Sequence, residues 1–154
     1  MSVVLRDAAE TIAFGVALGE LLESGDVVVL DGTLGAGKTT LTKGIALGLG
    51  VTDAITSPTF VISHVHHGQR AQLVHVDAYR LGSQMEFDDL DLDADLDASV
   101  TVVEWGQGRA EGLSDDPLLI SLRADESDES RIVSLTARGE RWPDVLQALE
   151  RWKP

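Results

Sequence analysis

The chain has 154 residues, 44% hydrophobic and 25% charged, which suits one globular domain and leaves little room for a second core. Twelve Lys and Arg against 26 Asp and Glu give a net charge of −14, which argues against direct grip on nucleic acid or on an anionic membrane. The lack of cysteine excludes disulfides, thiolate metal sites and thiol nucleophiles, and no apolar run approaches the ~20 residues of a membrane span. Acids near the start, where an export signal would need basic and apolar residues, make a cytoplasmic chain the expectation.

In chain order, 7–24 reads as a helix, with Asp7 as cap, Glu10 three residues on, and Ile12, Val16, Leu18 and Leu22 as its apolar side. The continuous run 27–30, Val-Val-Val-Leu, reads as a strand buried on both faces. A glycine-rich turn over 32–37 leads into a helix over 38–49, stopped by Gly50. Pro58 makes 56–59 a loop. The segments 60–67 and 71–77 flank a short Gly-Gln-Arg link and suggest a hairpin. The stretch 83–98 reads as a short helix and an acidic loop; within 86–97, seven of twelve residues are acidic, and Leu90, Leu92 and Leu96 argue against full disorder. A buried strand over 100–103, a second hairpin from 118–123 and 131–136, and a helix from Pro143 to about Trp152 complete the chain. The pattern predicts a single α/β domain over 1–154, with three layers and a mixed central sheet, parallel at the centre and antiparallel at the edges.

The chemistry concentrates at 32–39, Gly-Thr-Leu-Gly-Ala-Gly-Lys-Thr, which matches the phosphate-binding pattern G-x-x-x-x-G-K-[ST] between a strand and a helix. Gly32, Gly35 and Gly37 permit backbone angles that a Cβ forbids, and with Ala36 they bring amides close to a phosphate. The helix starting at Lys38 adds its positive end, Lys38 can reach β- and γ-phosphates, and the Thr39 hydroxyl suits Mg²⁺. Asp77 and Glu104 each end a predicted strand, so strands flanking the first would carry both acids to the carboxyl edge beside the phosphates. Thr59 follows Ser57-Pro58 in a loop suited to sensing a γ-phosphate. Trp105 could lie against nucleotide or serve packing. The histidines 64, 66, 67 and 75 lack zinc spacing, and His75 reads as a packed residue beside the site.

Four motifs occur in order: Gly-Thr-Leu-Gly-Ala-Gly-Lys-Thr-Thr at 32–40, Ser-Pro-Thr-Phe at 57–60, His-Val-Asp-Ala-Tyr-Arg at 75–80 and Val-Glu-Trp at 103–105. Together they resemble the bacterial TsaE family, the ATPase component in threonylcarbamoyladenosine (t6A) modification of tRNA. The resemblance implies a P-loop NTPase-like fold and Mg²⁺-dependent ATP hydrolysis. It further implies work with the TsaD and TsaB subunits, with tRNA contacted only indirectly and no membrane. It makes Lys38 the phosphate lysine, Thr39 and Glu104 the Mg²⁺ ligands, and Asp77 the carboxylate needed for hydrolysis. Thr59 becomes part of a switch-like loop and Thr11 a position near the nucleotide; Thr40, next to Thr39, is taken with Trp105 as a candidate nucleotide contact. The chain departs from the family at Thr33, where Asp is usual; Asp31 stands two residues earlier. A small-molecule kinase and a nucleotide-dependent binding module with little turnover share the P-loop and stay open as alternatives.

Overall fold

The computed structural model describes residues 1–56, 63–125 and 127–154. Its elements run β1 (Ser2–Leu5), α1 (Ala8–Leu21), β2 (Val27–Gly32), α2 (Lys38–Gly48), β3 (Ser63–His66), β4 (Gln72–Asp77), α3 (Gln84–Asp88), β5 (Ser99–Glu104), β6 (Leu118–Ala124), β7 (Arg131–Ala137) and α4 (Pro143–Glu150), with 3₁₀ turns at Leu92–Ala98 and Ala110–Leu113. Among the described residues the strands form one seven-stranded sheet in the order β1-β7-β6-β2-β5-β4-β3. The inner four, β6, β2, β5 and β4, run parallel. β7 and β1 on one side, and β3 on the other, are antiparallel.

The continuous apolar runs sit where both faces are covered. All six residues of β5 are buried, as are Val27 to Leu30 of β2. Alternation then separates two cores. Val28, Leu30, Val100, Val102 and Leu118 face α1, α2 and α4. Val27, Val29, Val74, Val76 and Val103 face the other way, onto Phe87 of α3 and onto Leu92 and Ala110 of the 3₁₀ turns. Helix layer, sheet and thinner helix layer give the expected three-layer, P-loop NTPase-like arrangement.

Three expectations need correction. β1 was not read from the sequence: it has four residues, alternates weakly, and only Leu5 is buried. It pairs with β7, Ser2 opposite Ser134. β6 is more than one arm of an edge hairpin; it pairs parallel with β2 on the side away from β5. Only β5 of the two acid-bearing strands flanks β2 directly, and β4 lies beyond it.

Helix α1 is capped as its sequence implies: Asp7 accepts from the Glu10 backbone N–H. Its buried stripe is Thr11, Phe14, Gly15, Leu18 and Gly19; of the expected apolar side, Leu18 and Leu22 are buried, while Ile12 and Val16 are only partly so. The reason is a backbone-to-backbone approach to α2 through the pairs Gly15–Gly44 and Gly19–Gly48. A methyl on Gly44 would strike the Ile12 carbonyl and lie 2.8 Å from Gly15 Cα. This approach holds the start of α1 beside the start of α2. Gly44→Ala is therefore expected to lower stability by at least about 1 kcal/mol, net of the helix propensity that Ala adds. Urea denaturation would show a lower midpoint at unchanged slope; an unchanged midpoint would mean that the helices can part cheaply.

Candidate functional site

β2 hands directly to the glycine loop. Gly32, Gly35 and Gly37 have φ of +149°, +79° and +104°, conformations that L side chains rarely adopt. Gly37 is also the N-cap of α2, and a glycine there supplies no side-chain cap. The first-turn N–H groups, including those of Lys38, Thr39 and Thr40, are thus left without a side-chain partner at the positive end of the helix. That is a ready anion site. Ala36 is buried beneath the loop, while Leu34 at its tip is 85% exposed.

Lys38 is 5% exposed. Its Nζ donates to the carbonyls of Gly32, at 2.7 Å, and Thr33, at 2.9 Å. The same Nζ sits 3.9 Å from the centre of the Trp105 ring. Burial pushes the Lys38 ammonium below the ordinary lysine range, while Glu104, Asp31 and Asp77 pull it back up. Trp105 holds this place with a left-handed backbone, φ +59°, and packs on Tyr79 at 4.9 Å between ring centres. For a tryptophan this backbone is a strained conformation.

The carboxylates arrive through strand register. Leu30 of β2 pairs with Glu104 of β5, and Glu104 pairs with Asp77 of β4. Backbone bonds from Trp105 N to Leu30 O and from Ala78 N to Glu104 O, both 2.9 Å, fasten this carboxyl edge. Glu104 is 2% exposed. The Thr39 hydroxyl donates to its two oxygens at 3.1 and 3.3 Å, and His75 Nε2 lies 3.0 Å from Oε1. Asp77 Oδ1 accepts from the Tyr79 N–H at 2.9 Å. An alcohol and a carboxylate converging at the mouth of a phosphate loop are the hard oxygen donors that Mg²⁺ selects, so the residues present fit that ion. Among the described residues, no group of three or more His, Asp or Glu side chains is placed to hold a metal by itself.

Thr11 is buried, and its hydroxyl donates to the Asp7 carbonyl at 2.9 Å. It also accepts from Arg131 Nη1 at 3.1 Å. The Arg131 side chain lies along Gly37, where an added Cβ would sit 3.2 Å from its Nε, and that Nε is enclosed without a partner among the described residues. Thus the loop, Lys38, Thr39, Glu104 and Trp105 come together, Asp77 stands one strand away, and Thr11 reaches the loop through Arg131. Thr59 and the rest of 57–60 lie outside the described residues. Arg131 and the His75–Glu104 contact were missed by sequence reasoning. No motif marks Arg131, which opens an edge-side strand; the register that sets His75 diagonal to Glu104 exists only once the strands pair.

A glycine loop joining the second strand to the second helix, over this sheet, defines a P-loop protein of NTPase-like fold. The model of one protein family, described as "Threonylcarbamoyl adenosine biosynthesis protein TsaE", matches residues 5–133. The chain belongs to the TsaE family. A Streptomyces coelicolor relative named "tRNA threonylcarbamoyladenosine biosynthesis protein TsaE" is 56% identical over 134 residues, covering 83% of this chain and 90% of its own. The Bacillus subtilis protein of the same name is 38% identical, covering 92% and 89%. The crystal structure of Bacillus subtilis YdiB superposes with a TM-score of 0.80 at 31% identity, covering 98% of this chain and 94% of that one. No helix among the described residues is long and apolar enough to cross a membrane.

The buried carboxylate depends on its donors. Thr39→Val keeps the side-chain shape and removes one of them, so it is expected to destabilise the fold by about 1 kcal/mol. Denaturant titration measures this, and an unchanged midpoint would show that the contact contributes nothing to stability.

Proposed function

We propose that this chain is the Mg²⁺-dependent ATPase of a tRNA t6A-modifying system, a cytoplasmic protein working on a complex with TsaD and TsaB. The observation that carries the reading is the contact of Thr39 with Glu104 at the mouth of the glycine loop, with Lys38 enclosed beside it. In this reading Lys38 exchanges its Gly32 and Thr33 carbonyl partners for β- and γ-phosphate oxygens. The amides of the loop, with Gly32, Gly35, Ala36 and Gly37 in its backbone and Thr40 in the first turn of α2, surround the phosphates. Arg131 and Thr11 flank the loop on the α1 side, where they can meet the rest of the nucleotide. Thr39 and Glu104 would hold Mg²⁺, which when bound neutralises charge on the phosphate oxygens. Asp77 positions the attacking water, and Thr59 reports the γ-phosphate to the partners. Adenine as the base follows the family resemblance, together with the absence of an N-K-x-D guanine-reading pattern.

Charge supports the division of labour. A protein of net charge −14 is poorly suited to hold tRNA, so the RNA and the threonylcarbamoyl group belong on the partner subunits. Hydrolysis here then serves as a resetting step for that complex.

Lys38→Ala is expected to lose nucleotide affinity. Asp77→Asn is expected to keep it but to release phosphate about 100-fold more slowly, the usual scale for loss of one acid–base group. Both should stop multiple-turnover t6A formation with TsaD and TsaB while leaving the fold intact by thermal melting. Wild-type turnover with Lys38→Ala would sink the reading. Appearance of a phosphorylated small molecule in place of free phosphate would favour a kinase.

A further inference from the structure

His75 is a fully enclosed polar side chain near the loop, and neither the phosphate site nor hydrolysis as proposed above uses it. It is 0% exposed. Its neighbours along β4 are the aliphatic Leu73, Val74 and Val76, so the local sequence would accept another apolar residue. An imidazole is kept instead, at a cost: its Nδ1 is buried with no hydrogen-bond partner among the described residues. Among the described residues its polar contact is Glu104 Oε1, 3.0 Å from Nε2. A carboxylate only accepts, so Nε2 carries the proton of this contact, and neutral imidazole then leaves Nδ1 as the unpaired acceptor.

Register explains the pairing. His75 stands opposite Val102, two residues before Glu104, so the two side chains are diagonal neighbours across β4 and β5. The alternate residues Leu73, Val100 and Val102 lie in the core beneath α1 and α2, which puts His75 and Glu104 on that same face, under the start of α2. Thr39 reaches Glu104 from that helix. Glu104 is therefore held by two side-chain donors of different kinds. Thr39 is itself an oxygen that a cation would take, and it cannot fix the carboxylate independently of the metal. His75 can.

The geometry points to His75 as the positioning residue of Glu104: it holds the carboxylate in place before metal arrives and keeps it there when Thr39 turns its oxygen to the ion. This rests on the reading of Glu104 as a Mg²⁺ ligand. His75 touches neither phosphate nor water in this role; it acts through Glu104 as an outer-shell partner.

The test is manganese(II) binding to the full chain saturated with a non-hydrolysable ATP analogue, beside analogue binding in EDTA. His75→Leu is expected to weaken manganese about tenfold or more, the scale for lost outer-shell partners, and to leave metal-free analogue affinity unchanged. His75→Gln, whose amide nitrogen falls near the Nε2 position, should restore most of the manganese affinity. His75→Asn, whose amide falls near Nδ1, should not. Wild-type manganese affinity in His75→Leu overturns the inference, as does an equal loss of analogue affinity in EDTA. If His75→Leu does not fold, the Gln and Asn variants decide: equal affinities overturn the inference. Glu104→Gln separates the two levels. If it binds manganese as tightly as wild type, the metal site itself is misassigned; if it is weak while His75→Leu is normal, only the role of His75 fails.

Discussion

The parallel pairing of β2, β5 and β4 places Leu30, Glu104 and Asp77 in one row at the carboxyl edge of the sheet. Everything at the site hangs from that row. The glycine loop leaves β2 two residues after Leu30, and Glu104 is next to it through the β2–β5 ladder. Parallel strands cannot be joined by tight turns. The crossover therefore carries α2 onto one face, and the start of that helix stands over the edge where the carboxylates end. The direct meeting of Thr39 with Glu104, 65 residues apart in the chain, is a consequence of pairing and crossover together.

That edge is electrostatically costly. Glu104 is buried, Asp31 and Asp77 stand close enough to act on Lys38, and the whole chain is strongly acidic. Burial alone disfavours the Lys38 ammonium, and the surrounding acids favour it. Nζ answers both by hydrogen bonding to two loop carbonyls and lying against the Trp105 ring. Each of these contacts is a dipole or a π face, weaker than a phosphate charge in a low-dielectric site. Arg131 adds a second cation beside the loop, against Gly37, where its Nε has no partner among the described residues.

The sequence made the parts of this site legible in unequal measure. Val27 to Leu30 and Val100 to Val103 show their burial on both faces because every residue but Thr101 is apolar, and the loop between strand and helix shows itself by its fixed Gly and Lys positions. Asp77 and Glu104 were visible as strand-end acids. Their order across the sheet was not, because nothing in either strand states which neighbour it takes; β5 lies next to β2 although β4 precedes it in the chain. Arg131 and His75 were hidden for the same reason. Each is a single polar residue whose meaning depends on a partner in another element, Thr11 and Gly37 for one, Glu104 for the other. Leu18 and Leu22 of the α1 stripe were read rightly and Ile12 and Val16 were not, because glycine carries no hydrophobic signal, yet Gly15 and Gly19 are where α1 comes closest to α2.

The glycine pairs also tie stability to the site. α1 contributes Thr11 near its start, and α2 contributes Gly37, Lys38 and Thr39 at its own start. Both helices could drift along the sheet if ordinary side chains lay between them, since apolar packing has little directionality. Backbone contact at Gly15–Gly44 and Gly19–Gly48 removes that freedom, because sliding drives carbonyls into α-carbons. Arg131 can then span from Thr11 to the edge of the loop with one side chain. Two helices packed by larger residues would stand farther apart, and the same guanidinium would not reach both.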